Sequence, residues 1–551
     1  MTLDSRTGLE IGLVVEVTGE RALAELTVDT TVPLKGDYYP GQPGSYVKIP
    51  FRDSAVIGTV SGVRAADGPR SPRTGAGESL PRRIASILMI GTIDNRGMFS
   101  RGVAVYPNVG QEVLMVSSRE LNEVFSEYVH FGFSFGSPVQ APDQRAYIHV
   151  DRFFGRHTAL LGTTGCGKSC TVATILQRAV KTYPDTHIVV LDLHGEYSAA
   201  FPNDVRVIEA DKVELPYWML DFEEFTNLTV DPTEFSYQNQ LSVLRNAILQ
   251  ARQSTDRREG LNLGEAVTVD SPIYYTLDDM LGLIRGFNIQ MVPSADSRSG
   301  TMDRGPLFGA FDRFMIRFEA RQSDPRFRFM FSPRTYLDNR SMIDLLKEYL
   351  SIDVGTRMTI IDLSGIPSEA VGVVVAVVAR VVFEFNLWNP ARSRFPILMV
   401  FEEAHNYVPN RFDPHFTATK KAVERIAKEG RKYGIGMMAV SQRPKELDET
   451  VLSSCNTFVV MRTTNPEDQN YVRRLVPDSL AGMMDILPSL RTGEALVLGD
   501  ALAMPSRILI DTPDPKPLSA DVLFSEWWAD GIKEMDVERV VRRWRSRQHD
   551  L

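Results

Sequence analysis

Gly162-Thr163-Thr164-Gly165-Cys166-Gly167-Lys168-Ser169 fits the pattern G-x-x-x-x-G-K-[ST] without a gap. Glycines at these positions let main-chain N–H groups turn inward around an anion. Lys168 sets a point charge against the β- and γ-phosphates, and Ser169 offers a hydroxyl to Mg2+. The flanks agree. His157 to Leu161 is a short apolar strand candidate, and Cys170 to Lys181 carries Val172, Ile175, Leu176 and Ala179 at helical spacing. Strand, glycine loop and helix is the order the motif requires, because the helix N-terminus adds its dipole to the phosphate site. The stretch predicts ATP and Mg2+ as cofactors and leaves open what the energy is used for. Cys170 extends the binding loop. Cys166, inside it, is expected to be exposed, so that a thiol reagent there would block ATP binding.

A phosphate loop alone does not distinguish a kinase from a GTPase or a motor. Ile397-Leu398-Met399-Val400-Phe401-Glu402-Glu403-Ala404-His405 is the discriminating segment. An apolar strand delivers two carboxylates to its carboxyl end, where open α/β sheets bind ligands. Glu402 stands where such motifs usually carry Asp; it is one methylene longer and can reach the metal through water. Glu403 can orient and deprotonate a water for attack on the γ-phosphate, which a kinase does not need. Gln442, at the end of Ala439-Val440-Ser441-Gln442, offers an amide that can bond both the γ-phosphate and that water. Arg156, Arg425 and Arg431 are the basic residues that could act between subunits.

The wider chain bounds these readings. At 551 residues it is long enough for about two to four domains. A net charge of −9 argues against a surface coated for nucleic acid, but not against a channel lined locally with Lys and Arg. Three cysteines make no disulfide or metal framework. The run Val371 to Ala379, stopped by Arg380, falls short of the roughly 20 residues of a membrane span, and the first residues lack a signal-peptide core. These features predict a cytoplasmic protein.

Residues 1–140 read as a small β-barrel of short strands punctuated by glycine and proline, with a loop from Ala66 to Arg83. Residues 141–221 hold the first part of an α/β core. Residues 222–350 read as a helical insertion in which Phe311, Phe314, Met315 and Phe318 form a packing stripe. Residues 351–511 return to nearly continuous apolar strands, which predicts a parallel sheet buried on both faces. Residues 512–551 form a tail with Trp527, Trp528 and a basic run from Arg539 to Arg547.

Taken in order, Arg156 to Gly165, Asp192-Leu193-His194-Gly195-Glu196-Tyr197, Ile361-Asp362-Leu363-Ser364-Gly365, Glu402-Glu403-Ala404-His405-Asn406, Glu429-Gly430-Arg431-Lys432-Tyr433-Gly434 and Ser441-Gln442-Arg443-Pro444 resemble the HerA family of hexameric DNA translocases, within the FtsK–HerA group, and its bacterial members. The resemblance implies a RecA-like P-loop core and a hexameric ring, with ATP between neighbours and DNA in the pore. It implies that Arg156 acts across the interface, that Asp192 belongs to the nucleotide site, and that the Arg425–Arg431 helix carries the trans-acting finger, without saying which residue it is. It implies a C-terminal tail that braces a neighbour. It also implies a separate effector partner, a nuclease or a sirtuin-type NAD hydrolase, in DNA processing or antiphage defence. An ATP-gated scaffold that regulates an effector without moving DNA needs the same site and stays open. Lys420, Lys421 and the Arg411 segment are pore candidates by position.

Overall fold

A computed structural model describes residues 8–28, 39–66, 82–203, 205–293, 302–352, 355–477, 480–519, 522–529 and 535–546. The initial residues, nearly all of the Ala66–Arg83 loop and the end of the basic run at Arg547 lie outside them.

The short N-terminal strands close on themselves. β1 (Glu10–Val17), β2 (Arg21–Leu26), β3 (Tyr46–Phe51), β4 (Ser54–Ala66), β5 (Arg82–Ile93), β6 (Phe99–Arg101) and β7 (Glu112–Met115) run in the order β2-β1-β7-β3-β4-β5-β6. An antiparallel β2–β5 pairing completes a barrel and leaves β6 on the rim. Ile11, Val14, Val47, Val56 and Ile87 fill it. Gly12 permits the close approach of β1 to β2: a Cβ there would lie 2.3 Å from Glu25 O across the strand pair. Helix α1 (Ser118–Ser126), started by a Ser117/Glu120 capping box, leads out of the barrel. Its Glu120 also neutralises Lys48, which is fully buried in β3.

The core sheet takes β8 (Gly136–Pro138), β9 (Thr158–Leu161), β10 (Ile188–Asp192) and β11 (Val205–Ile208). The pair β12 (Met291–Pro293) and β13 (Met302–Arg304) stands apart as its own hairpin. β14 (Met358–Asp362), β15 (Ile397–Phe401), β16 (Ile435–Ser441), β17 (Thr457–Met461), β18 (Glu494–Gly499) and β19 (Ser506–Ile510) complete the core sheet, in the order β11-β14-β10-β15-β16-β9-β17-β18-β19-β8. The strands from β11 to β17 are parallel. The expectation of a parallel sheet is corrected at β18, which is antiparallel to β17, and β19 and β8, which the sequence did not mark as strands, continue that antiparallel edge. The short link from Gly499 to Ser506 is the reason for β18–β19: it has no room for a parallel crossover. β8, inside the segment read as barrel, belongs to this sheet.

Helix α2 (Val150–Phe153) precedes β9, and α3 (Lys168–Thr182) follows the glycine loop. The interruption of the α/β order carries α4 (Phe222–Thr229), α5 (Tyr237–Glu259), α6 (Leu277–Asn288), α7 (Asp312–Ser323), α8 (Arg328–Phe331) and α9 (Ser341–Tyr349). Its aromatic stripe is core: Phe314 and Phe318 stack at 5.8 Å, and Phe318 meets Phe331 edge-on at 5.5 Å. α10 (Ser368–Trp388) and α11 (Thr417–Glu429) pack together beside the sheet. The apolar stretch of α10 is longer than the sequence run implied. Ala370–Trp388 has the length and composition to cross a membrane, because Arg380 alone does not break it, but 72% of its apolar window is buried inside the protein. Arg380 is neutralised by Glu224 at 2.8 Å. The tail helices Phe524–Ala529 and Val537–Ser546 leave Trp527 and Trp528 largely exposed. The whole is an α/β RecA-like P-loop core with an N-terminal small β-barrel, a helical insertion and a helical tail.

Candidate nucleotide site

β9 ends at Leu161, and the chain turns through Gly165 (φ 72°) and Gly167 (φ 99°) into α3. Both glycines adopt left-handed backbone that other residues take only with strain. α3 has no side-chain N-cap, so the N–H groups of its first turn are left for an anion. Nothing lies within 4 Å of a Cβ built on Gly165, which leaves the cradle open there. Lys168 is buried, and its ammonium points back over the loop to Glu403. The hydroxyl of Ser169, in the first turn of α3, has no partner among the described residues. Among the described residues no cluster of His, Cys, Asp or Glu could hold a metal by itself. Mg2+ commonly takes one or two protein ligands plus phosphates and water, and Ser169 is the residue placed to supply one. The residues present therefore fit ATP with Mg2+.

Cys166 does not behave as its place in the loop implied. It is fully buried, with Sγ 3.9 Å from Met461 Sδ, and burial pushes its thiol pKa up. The loop presents main chain to the anion and turns this side chain into the sheet. Cys170 is half-buried, with Sγ 4.0 Å from Ser519 Oγ.

β15 and β16 bring the carboxylate and the amide to the loop. Glu403 sits at φ 44°, a rare conformation for a side-chain-bearing residue and one that clusters at functional sites. Its Oε1 is 3.7 Å from Lys168 Nζ, and its Oε2 accepts from the Gln442 N–H at 3.2 Å. Burial raises the Glu403 pKa and Lys168 opposes the rise. His405 Nδ1 lies 3.4 Å from Glu403 Oε2, but burial lowers the His405 pKa to about 4, so this is a neutral contact at pH 7 and not an ion pair. Thr164 Oγ1 donates to Gln442 Oε1, which fixes the amide over the loop.

Glu402 faces elsewhere. Its Oε2 accepts from the Leu193 N–H at 2.8 Å. Asp192, fully buried beside it, accepts from the N–H groups of Gly195, Glu196 and Tyr197 at 2.9, 3.2 and 2.9 Å. Burial and their mutual repulsion push Glu402 well above the ordinary carboxylate range, and burial raises Asp192 too. The pair shapes the Leu193–Tyr197 loop at the carboxyl end of β10.

Two of the three arginines lie at the opposite edge of the sheet. Arg156 precedes β9 and Arg431 precedes β16, both at the amino ends of strands whose carboxyl ends form the site. Arg156 Nη1 is 3.2 Å from Asp500 Oδ2. Arg431 is exposed, lines a cleft of about 340 Å3 with Asp151, Tyr183 and His187, and has no ion-pair partner among the described residues. Arg425 is committed within its own chain, 2.9 Å from Glu384 Oε1 and stacked 4.0 Å above the Phe383 ring. Lys420 and Lys421 are likewise paired, with Asp448 and Glu223, while Arg411 and Phe412 are exposed.

Arg462 was not anticipated. It follows β17, the neighbour of β9, and its Nη2 is 3.4 Å from Gly165 O. Its signal was available: an arginine directly after an apolar strand, Thr457–Met461, reaching the edge where the glycine loop lies.

This geometry defines a P-loop NTPase site with a buried carboxylate, Glu403, beside the phosphate-loop lysine. Comparison with known proteins narrows the class. The family described as "Helicase HerA, central domain" matches residues 133–382. The DNA double-strand break repair helicase HerA of Sulfolobus acidocaldarius is 29% identical over 80% of this chain and 80% of its own. That of Pyrococcus furiosus is 26% identical over 79% of each. Among solved structures, the plasmid coupling protein TrwB in complex with ADP and Mg2+ aligns with a TM-score of 0.45 and 14% identity, over 72% of this chain and 93% of that one. The chain is a homologue of the P-loop ATPases of the HerA/FtsK group.

Proposed function

We propose that this protein is a ring-forming, ATP-hydrolysing DNA translocase of the HerA type. The observation that carries the reading is the division of the arginines from the phosphate loop. Four-residue β9 separates Arg156 from the loop by on the order of 13 Å, and Arg431 stands at the same far edge. Neither guanidinium serves its own chain's γ-phosphate. Each completes a site on a neighbouring copy, as an oligomer with ATP between subunits requires. The named relatives are DNA repair helicases, which supports DNA as the substrate. The exposed tail aromatics support contact with a neighbour. A hexameric ring, passage of DNA through its pore, a cytoplasmic location and a separate effector partner, a nuclease or a sirtuin-type NAD hydrolase as in bacterial antiphage relatives, belong to this proposal.

In this mechanism Lys168 exchanges Glu403 for a phosphate oxygen when ATP enters. That exchange frees the Glu403 carboxylate to accept a proton from water as the water attacks the γ-phosphate. Gln442 orients the water, Ser169 would hold Mg2+, and a neighbour's Arg431 meets the charge that develops. Bound Mg2+ supplies charge neutralisation on the phosphates.

Steady-state ATPase assays with and without duplex DNA, together with displacement of a roadblock from that DNA, test the reading. Stimulation and displacement are expected. ATP-dependent activation of an effector with no DNA response would establish the scaffold instead.

A further inference from the structure

Three arginines converge on the turn after β18, each from a different part of the chain. Arg101, on barrel strand β6, places Nη1 3.2 Å from Asp500 Oδ1 and Nη2 2.9 Å from Gly499 O. Arg156, just ahead of β9, places Nη1 3.2 Å from Asp500 Oδ2. Arg152 of α2 reaches Asp500 O at 3.4 Å and Tyr128 Oη at 3.1 Å. The turn is packed closely against the end of the loop preceding β17. Gly499 has φ 110°, and a Cβ there would fall 2.0 Å from Asn456 O.

One carboxylate is thus divided between two guanidinium groups, one on the barrel and one in the ATPase core. The two are not held equally. Arg101 has a second anchor on Gly499 O, whereas Asp500 is the only partner of the Arg156 guanidinium among the described residues. Arg101 and Arg156 are each about one-third exposed, so it is the missing second anchor that makes Arg156 the member that can leave. Its departure to an anion would relieve the crowding of like charge around Asp500 and give Arg101 both carboxylate oxygens.

We propose that Asp500 is a positioning residue that couples Arg156 to the barrel. It presents Arg156 at the amino edge of the sheet, and its grip on Arg101 tightens when Arg156 engages a neighbouring copy's nucleotide. The inference rests on the trans role proposed above for Arg156. Nucleotide occupancy at one subunit is thereby passed to the barrel of the next.

Hydrogen exchange on the assembled full-length protein, with and without a non-hydrolysable ATP analogue, tests this. In the unaltered protein the analogue should protect both the glycine loop and β6. In Asp500→Asn the loop protection should persist and the β6 response should vanish. kcat should fall about 10-fold with KM for ATP changing less than about 2-fold, since ground-state binding is untouched. Asp500→Glu should restore most of both. Arg101→Gln, which cuts only the barrel side, should lose the β6 response on its own and stands in if Asp500→Asn fails to assemble. A β6 response intact in Asp500→Asn or Arg101→Gln overturns the coupling. Arg156→Gln separates the two ideas. If it is inactive while Asp500→Asn keeps both responses, only the coupling fails. If Arg156→Gln turns over ATP normally, the trans role falls and the coupling with it.

Discussion

Glu403 Oε1 and Lys168 Nζ lie 3.7 Å apart, each side chain nearly withdrawn from solvent, so the proposed base and the phosphate-loop lysine hold one another at the carboxyl edge of the sheet. In the proposed mechanism this contact masks the base until phosphate displaces it. Glu403→Gln should bind ATP at least as tightly as the native protein, because Lys168 loses a competitor. Its turnover should fall about 10²- to 10⁴-fold, the range for loss of a positioned general base. Equilibrium binding and steady-state hydrolysis measured together check this; near-native turnover would remove Glu403 from the role.

Arg431 and Arg425 separate cleanly. Arg431→Ala should lower kcat by about 10³-fold or more, as for a trans-acting arginine. Arg425→Ala loses the Glu384 pair and the stacking on Phe383, costing about 1 kcal/mol of stability and little rate. Mixing Arg431→Ala with Glu403→Gln should recover part of the activity at mixed interfaces. Absence of recovery at every ratio would place Arg431 outside the neighbour's site.

Arg462→Gln should weaken ATP binding about 10-fold, roughly 1.4 kcal/mol, by removing a second cation from the loop. Titration with a fluorescent ATP analogue reads this directly. Unchanged affinity would assign Arg462 to bracing Gly165 alone.

Thiol labelling should follow burial, not motif. Cys166 and Cys455 are buried, and the Cys455 pKa is pushed up to about 12, so only Cys170 should react in the native protein. Modification of Cys166 should require unfolding. Cys166→Ser should cost about 1–3 kcal/mol, because a hydroxyl would replace a thiol beside the Met461 sulfur. Mass spectrometry of labelled peptides and thermal unfolding report the two effects.

His157 makes the fold acid-sensitive. It is buried at φ 60°, interacts with the backbone of Ile426 and Ala427, and has its pKa lowered to about 4. The unfolded chain has the ordinary value near 6.5, so it binds the proton first as pH falls. Stability from this group is complete above about pH 6.5 and is lost progressively down to about 4, a total on the order of 3 kcal/mol. His157→Asn, which tolerates the left-handed backbone, should flatten that slope by one proton in denaturation series at pH 7 and 5.

What the sequence made legible was local. The glycine loop, the apolar strand ending in Glu402-Glu403 and the amide at Gln442 are each written in a few consecutive residues, and the structure brings Glu403 and Gln442 to the loop. β2 was not legible: Arg21-Ala22-Leu23-Ala24-Glu25-Leu26 is built of helix-favouring residues and becomes a strand only because β1 and β5 pair with both its edges. The antiparallel end of the sheet was hidden because apolar strands of either direction read alike. The left-handed turn at Glu403 and the Arg156–Asp500 pair, 344 residues apart in sequence, depend on tertiary placement that no short window contains.

Closure of the barrel through β2 and β5 has a consequence for the ring proposed above. An open sheet exposes a ladder of unsatisfied amides and carbonyls on which a stranger's strand can nucleate a fibre. Here that ladder is spent internally, and the rim strand β6 is three residues long, with Arg101 at its end turned to the ATPase core. In the proposed ring, barrels of neighbouring subunits could stand side by side at high local concentration and meet through side chains, without zipping together through their backbones.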